Sequence, residues 1–250
     1  MAVDLTAVAG AYAARRPGVP GIAAPGGFRL ELDEDYCREV AACYERAPRF
    51  DGTALPAYEL LKAENLAQFR LIGEAGIDVR AWEGAGQPYR SSAELIERVR
   101  GTGVLLVHLT SAGHGPGPPA ASHPLLAPSG ISVHGVALCG NDLFRAVHDV
   151  FGHVMSGNHF GPRGEFRATF AHLGLYRREA HRVLLTEQIG QICWFSYGPH
   201  LLGRDGRPRR RGDPAYVPPS RRPYPEQKVF ELDQSYLDRF ERLFHRLEAV

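Results

Sequence analysis

The chain has 250 residues, enough to bury a sizeable core, and a single main domain is the simplest expectation. Hydrophobic residues make up 44% and charged residues 23%, the balance of a folded globular protein rather than a disordered or membrane-embedded one. A formal net charge of +1 supplies no overall field for nucleic acid or anionic lipid, and no stretch approaches the roughly 18 apolar residues of a bilayer span, so small molecules are the expected partners.

The start, Met1 to Gly10, lacks the basic region and apolar run of an export signal. Cys37, Cys43, Cys139 and Cys193 are scattered, with the first two six apart in a helical pattern. They form neither a disulfide framework nor a zinc ribbon, and a reducing cytoplasm fits them best.

Residues 1–28 are rich in Ala, Gly and Pro and predict an irregular lead-in to a catalytic domain spanning 29–250. Apolar residues at helical spacing predict helices over Asp35–Ala47 and Ala57–Ala75. Ile77–Trp82 and Val104–Leu109 are expected to be strands, and Ser91 with Glu94 opens a helix between them with a capping-box pattern. The first half is thus a small α/β layer.

Ser111–Gly130 is crowded with Gly and Pro and predicts a loop. Beyond it the chain is mainly helical, with Asn141 as the N-cap of a helix through His148-Asp149-Val150-Phe151-Gly152-His153. Further helices are expected over Glu165–Tyr176, Glu179–Phe195 and Gln234–Leu247, the last with Tyr236, Phe240, Leu243, Phe244 and Leu247 on one core-facing stripe. Between them, residues 203–225 carry Arg204, Arg207, Arg209, Arg210, Arg211, Arg221 and Arg222 among many Pro and Gly residues, which predicts a flexible surface loop or a lid over an acidic substrate. The fold class is α+β, mainly α.

Two imidazoles as close as His148 and His153, flanked by apolar residues, suit a transition metal. On an ideal α-helix, residues five apart differ by roughly 140° around the axis, so both rings meet one ion only where the helix ends or loosens. Gly152 permits that distortion. Two carboxylates compete for the third position. Glu187 sits in an apolar helical stretch where a carboxylate is costly to bury unless it meets a metal or a cation, and Gln191 one turn on is placed to hydrogen-bond it. Glu165, between Arg163 and Arg167, has an ordinary ion-pair reading and is the reserve ligand or general base. Asp149 is a further candidate for proton transfer.

His148 and His153 in HDVFGHV, Glu187 in a Thr-Glu helix and the segment Phe195-Ser196-Tyr197-Gly198 resemble the metal-binding core of the pterin-dependent aromatic amino acid hydroxylases, over about residues 133–198. The resemblance implies a non-heme ferrous iron, Fe(2+), held by His148, His153 and Glu187, and an enzyme that uses dioxygen on a small organic substrate. It departs from that family at Val133, where an arginine for the substrate carboxylate belongs, and at Val183, where a tryptophan belongs; the pterin loop is missing too. These departures weaken the expectation of a pterin and of phenylalanine-like substrates. Residues Phe144–His200, with Glu226-Gln227-Lys228, also resemble uncharacterised actinobacterial and phage-borne proteins, which adds Asn158 and Trp194 as expected neighbours of the site. A zinc hydrolase with the same ligands, or a binding module in which these polar residues only tie helices together, are the other readings the residues admit.

Overall fold

The computed structural model describes residues 3–22, 26–112, 123–209 and 211–247. Helices dominate, accompanied by three small two-stranded sheets, so the α+β, mainly α expectation holds. The lead-in is not wholly irregular. Helix α1 (Leu5–Ala14) forms there because Asp4 caps it, accepting from Ala7 N at 3.0 Å, and because Leu5, Ala9, Tyr12 and Ala13 make a buried stripe at helical spacing. Small alanines disguised that periodicity.

Strand β1 (Phe28–Leu30) leads to α2 (Glu34–Arg46) and α3 (Leu55–Glu74). Strands β2 (Asp78–Trp82) and β3 (Val104–His108) pair in parallel with α4 (Ser92–Thr102) crossing between them, the expected α/β layer. Ser91 accepts from Glu94 N at 3.3 Å, but Glu94 turns to Arg90 N at 3.0 Å, so only half of the capping box forms.

The predicted loop over 111–130 lies partly outside the described residues, and its end is ordered instead. Strands β4 (Pro128–Val133) and β5 (Val136–Cys139) form a hairpin whose turn residues His134 and Gly135 both have positive φ, 48° and 83°, as a two-residue hairpin turn requires. Helix α5 (Gly140–Val147) begins one residue before the expected cap: Cys139 is the N-cap, its N–H donating to Asp142 at 2.9 Å, and Asn141 instead donates to Thr110 Oγ1 at 2.9 Å.

The remaining helices are α6 (Pro162–Leu173), α7 (His181–Leu185), α8 (Gln191–Tyr197) and α9 (Gln234–Arg242). The last ends five residues before the expected Leu247; Phe244 then belongs to β6 (Phe244–Arg246), which pairs antiparallel with β1. Phe244 stays buried by stacking on Phe170 at 3.9 Å, whereas Leu247 is 52% exposed.

The site-bearing helices are held by the buried polar face of α3. Tyr176 Oη donates to Asn65 Oδ1 at 2.6 Å, Gln68 Nε2 to Leu175 O at 3.1 Å and Arg177 Nε to Glu64 at 2.9 Å, which fixes the connection that leaves α6. Within 203–225, Arg222 donates to Val217 O and Phe195 O and Arg209 pairs with Asp213. Arg204, Arg207, Arg211 and Arg221 are exposed, and Arg210 lies outside the described residues. No described helix is long and apolar enough to cross a membrane, and the four cysteines are free thiols.

Candidate metal centre

The loosening of the helix expected between His148 and His153 is present and extends over the whole motif. A π-helical turn covers His148–Val154, continuing α5, and its i→i+5 pattern is carried on by Met155 N donating to Val150 O at 2.8 Å. In such a turn residue i+5 falls back over residue i, so the two imidazoles meet, with ring centroids 4.9 Å apart and planes at 88°. Gly152 eases the approach: a Cβ there would crowd both the His148 ring and Ala168 at 3.1 Å.

Glu165 completes the group. One nitrogen of each histidine and one carboxylate oxygen of Glu165 lie within 4.8 Å of one another. His148 Nε2 is 3.2 Å and His153 Nε2 3.5 Å from Glu165 Oε2. Glu165 arrives there because α6 is wedged tightly against the preceding loop: a Cβ at Gly164 would sit 1.5 Å from His159 O, so only glycine allows the approach. Burial alone would raise the Glu165 carboxyl, but its hydrogen bonds and charge pairing with both histidines bring it down to about 2. For His153, burial pulls the other way and the same carboxylate prevails, raising the imidazole above its usual value.

The far sides of both rings are also engaged. His153 Nδ1 donates to Asn158 O at 3.0 Å, so loss of the other ring proton leaves the lone pair on Nε2, the arrangement a metal-bound histidine needs. His148 Nδ1 lies 2.6 Å from the Gln188 amide nitrogen, while Gln188 Oε1 is buried without a partner. Turning that amide over gives Oε1 a proton on Nδ1 to accept and frees His148 Nε2 for an ion. The turned amide thus accounts for the orphaned oxygen, and the three residues then fit a metal ion.

Glu187, expected as the third ligand, is not a member of this group. It sits in a second π-helical turn, Thr186–Gly190 between α7 and α8, which directs Gln188 towards His148 and Glu187 elsewhere. Its carboxylate accepts from Tyr58 Oη at 2.5 Å, His123 Nε2 at 3.2 Å and Gln191 Nε2 at 2.9 Å. Since His123 Nδ1 accepts from Leu125 N at 3.3 Å, the His123 proton is on Nε2 and donates. Three donors from neighbouring side chains satisfy the buried carboxylate, and none of them is an arginine or a lysine. Gln191 does hold Glu187 as expected, and so lies with Glu187 rather than with the histidines.

Asp149 is half-buried with no hydrogen-bond partner among the described residues, and burial raises its carboxyl against the lowering charges of His153 and His148. Trp194 donates to Glu45 and stacks on His200 at 4.1 Å, on the outer side of α8. Sequence reasoning missed Gln188 and also His172, a fully buried ring 5.7 Å from His148 that burial holds neutral. A glutamine beside Glu187 in an apolar helix was a signal for the first; a lone histidine in α6 was none for the second.

No protein-family model, no curated protein and no solved structure matches this chain.

Proposed function

We propose that the protein is a non-heme iron oxygenase, an enzyme that uses dioxygen to oxidise a small organic substrate at a centre formed by His148, His153 and Glu165. The observation that carries the reading is the gathering of two imidazole nitrogens and one carboxylate oxygen within 4.8 Å, with the rear nitrogen of each ring already engaged. A two-histidine, one-carboxylate set leaves coordination positions free for substrate and dioxygen, and ferrous iron in it supplies the electron transfer that dioxygen activation needs.

The chain's own residues have distinct parts. Asn158 and Gln188 orient the two imidazoles, and Gly152 and Gly164 allow the close approaches that bring the three ligands together. Asp149, with its carboxyl raised by burial, is suited to hold or accept a proton beside the histidines. The sequence lacks the pterin loop, and Val133 and Val183, which stand where the substrate clamp and the aromatic wall belong, pack against the hydrophobic core. Reaction of the ferrous protein with dioxygen is therefore expected to need no tetrahydropterin, and strict dependence on it with an aromatic amino acid would restore the ordinary hydroxylase reading.

Elemental analysis of tag-free protein purified without added metal is the test. Iron supports the oxygenase. Zinc, together with the free carboxyl of Asp149 as a base, favours a hydrolase using bound water as nucleophile. Protein that neither carries nor takes up metal would leave a binding module.

A further inference from the structure

Beside the centre runs a cavity of about 690 Å³, within the size range of small-molecule sites. Its walls are the start of the β1 segment, the loop 156–161, one face of α6 and Phe244. Two features mark it as more than a surface crease. Its apolar side is the parallel stack of Phe170 and Phe244, flanked by Phe28. Its polar side carries Arg163 and Arg167, one helical turn apart on α6. Among the described residues neither arginine has a carboxylate partner. Glu34, the carboxylate in the wall, is already held by Arg38 at 2.6 Å. Ser156 also lines the cavity, and its Oγ is buried with no partner.

We propose that this groove binds a small organic acid, its carboxylate on Arg163 and Arg167 and its apolar body along the Phe170–Phe244 stack. Paired guanidiniums with no internal anion offer charge-assisted hydrogen bonds to a carboxylate, and an aromatic floor recovers hydrophobic free energy from the body. The geometry ties the groove to the ligands. Phe160, in its wall, lies 5.1 Å from the His153 ring; Asn158, also in the wall, accepts from His153; and Gly164 immediately precedes Glu165. The Phe160 ring is itself 43% exposed, so the cavity wall that touches His153 is open to a bound molecule. The role of the groove as the substrate-holding part rests on the metal-centre reading, whereas binding of the acid does not.

Calorimetric titration of metal-free protein with 3-phenylpropionate and with octanoate, against 3-phenylpropan-1-ol, octan-1-ol and phenyl phosphate, tests this. At least one of the two acids should bind tenfold or more tighter than its alcohol, and Arg163→Gln with Arg167→Gln should remove at least tenfold of that affinity while circular dichroism stays unchanged. Preference for 3-phenylpropionate or for octanoate identifies the body as aromatic or aliphatic. Equal affinity for acid and alcohol, indifference to the arginine substitutions, or tenfold tighter binding of phenyl phosphate would each overturn the proposal. His148→Ala should lose metal and keep the acid; loss of the acid as well would put it on the histidine cluster and sink the groove. Wild-type protein that takes up no metal when it is supplied, yet binds the acid, would count against the metal reading alone.

Discussion

Glu165 and Glu187 are both carboxylates on helices, both meet histidine, and both are shielded from water, yet they are prepared for different things. Glu187 is 1% exposed in its side chain and faces three groups that are all committed donors, Tyr58, His123 and Gln191. Glu165 is 21% exposed and faces two imidazole nitrogens that become lone pairs once their rear nitrogens carry the protons. What separates a structural carboxylate from a metal-ligand candidate is therefore the donor set around it, and burial by itself does not discriminate between the two.

Exchanging the roles of the two carboxylates is the strongest way to break this contrast. His148→Ala, His153→Ala and Glu165→Ala should each lower metal affinity by at least about a hundredfold, because one of three protein ligands is lost. Glu187→Gln should leave occupancy near wild type. Loss of metal in the Glu187 variant with retention in the Glu165 variant, read by elemental analysis after dialysis, would reverse the assignment.

Stability should show the mirror image. Glu187→Ala strands three buried donors and is expected to destabilise the metal-free protein by about 3 kcal/mol in urea unfolding, with Tyr58→Phe costing about 1 kcal/mol. An undiminished midpoint for Glu187→Ala would mean that the donors find other partners.

Gln188 links the two regions, being the neighbour of Glu187 in sequence and of His148 in space. Gln188→Leu should weaken metal binding about tenfold and Gln188→Glu should restore it, since a carboxylate also accepts the His148 Nδ1 proton. Equal affinity in all three proteins would remove Gln188 from the centre.

The smallest effects are those of pH on the metal-free protein. His153 has a folded pKa above its ordinary value of about 6.5, so its stabilising contribution is complete below that pH and fades as pH rises through the raised value. Glu165 works in the opposite sense: its contribution is present above the usual carboxylate range near 4.3 and is lost as pH falls towards about 2. Metal must displace the His153 proton, so apparent affinity should climb with pH from 6 to 8. A flat affinity profile, measured by competition with a chelator, would show that His153 is not protonated in the metal-free state.

The sequence by itself determined the elements whose apolar periodicity is long and uninterrupted. Helices α2, α3 and α4 and strands β2 and β3 were legible because each buries one face at a fixed period, and the need for a loosened helix at His148 and His153 followed from counting degrees around an axis. Where periodicity was short or carried by small residues, local pattern was silent. Alanines hid α1, and Phe244 completes an apolar helical stripe in sequence while its backbone turns into β6 to meet β1, a strand more than two hundred residues away. The third carboxylate was beyond sequence for the same reason. Whether Glu165 or Glu187 reaches the histidines depends on the angle at which α6 packs on the His148 turn through Gly164, and on the arrival of Tyr58 and His123 from distant segments to occupy Glu187. Those partners are fixed by packing in three dimensions, which a one-dimensional spacing rule does not contain.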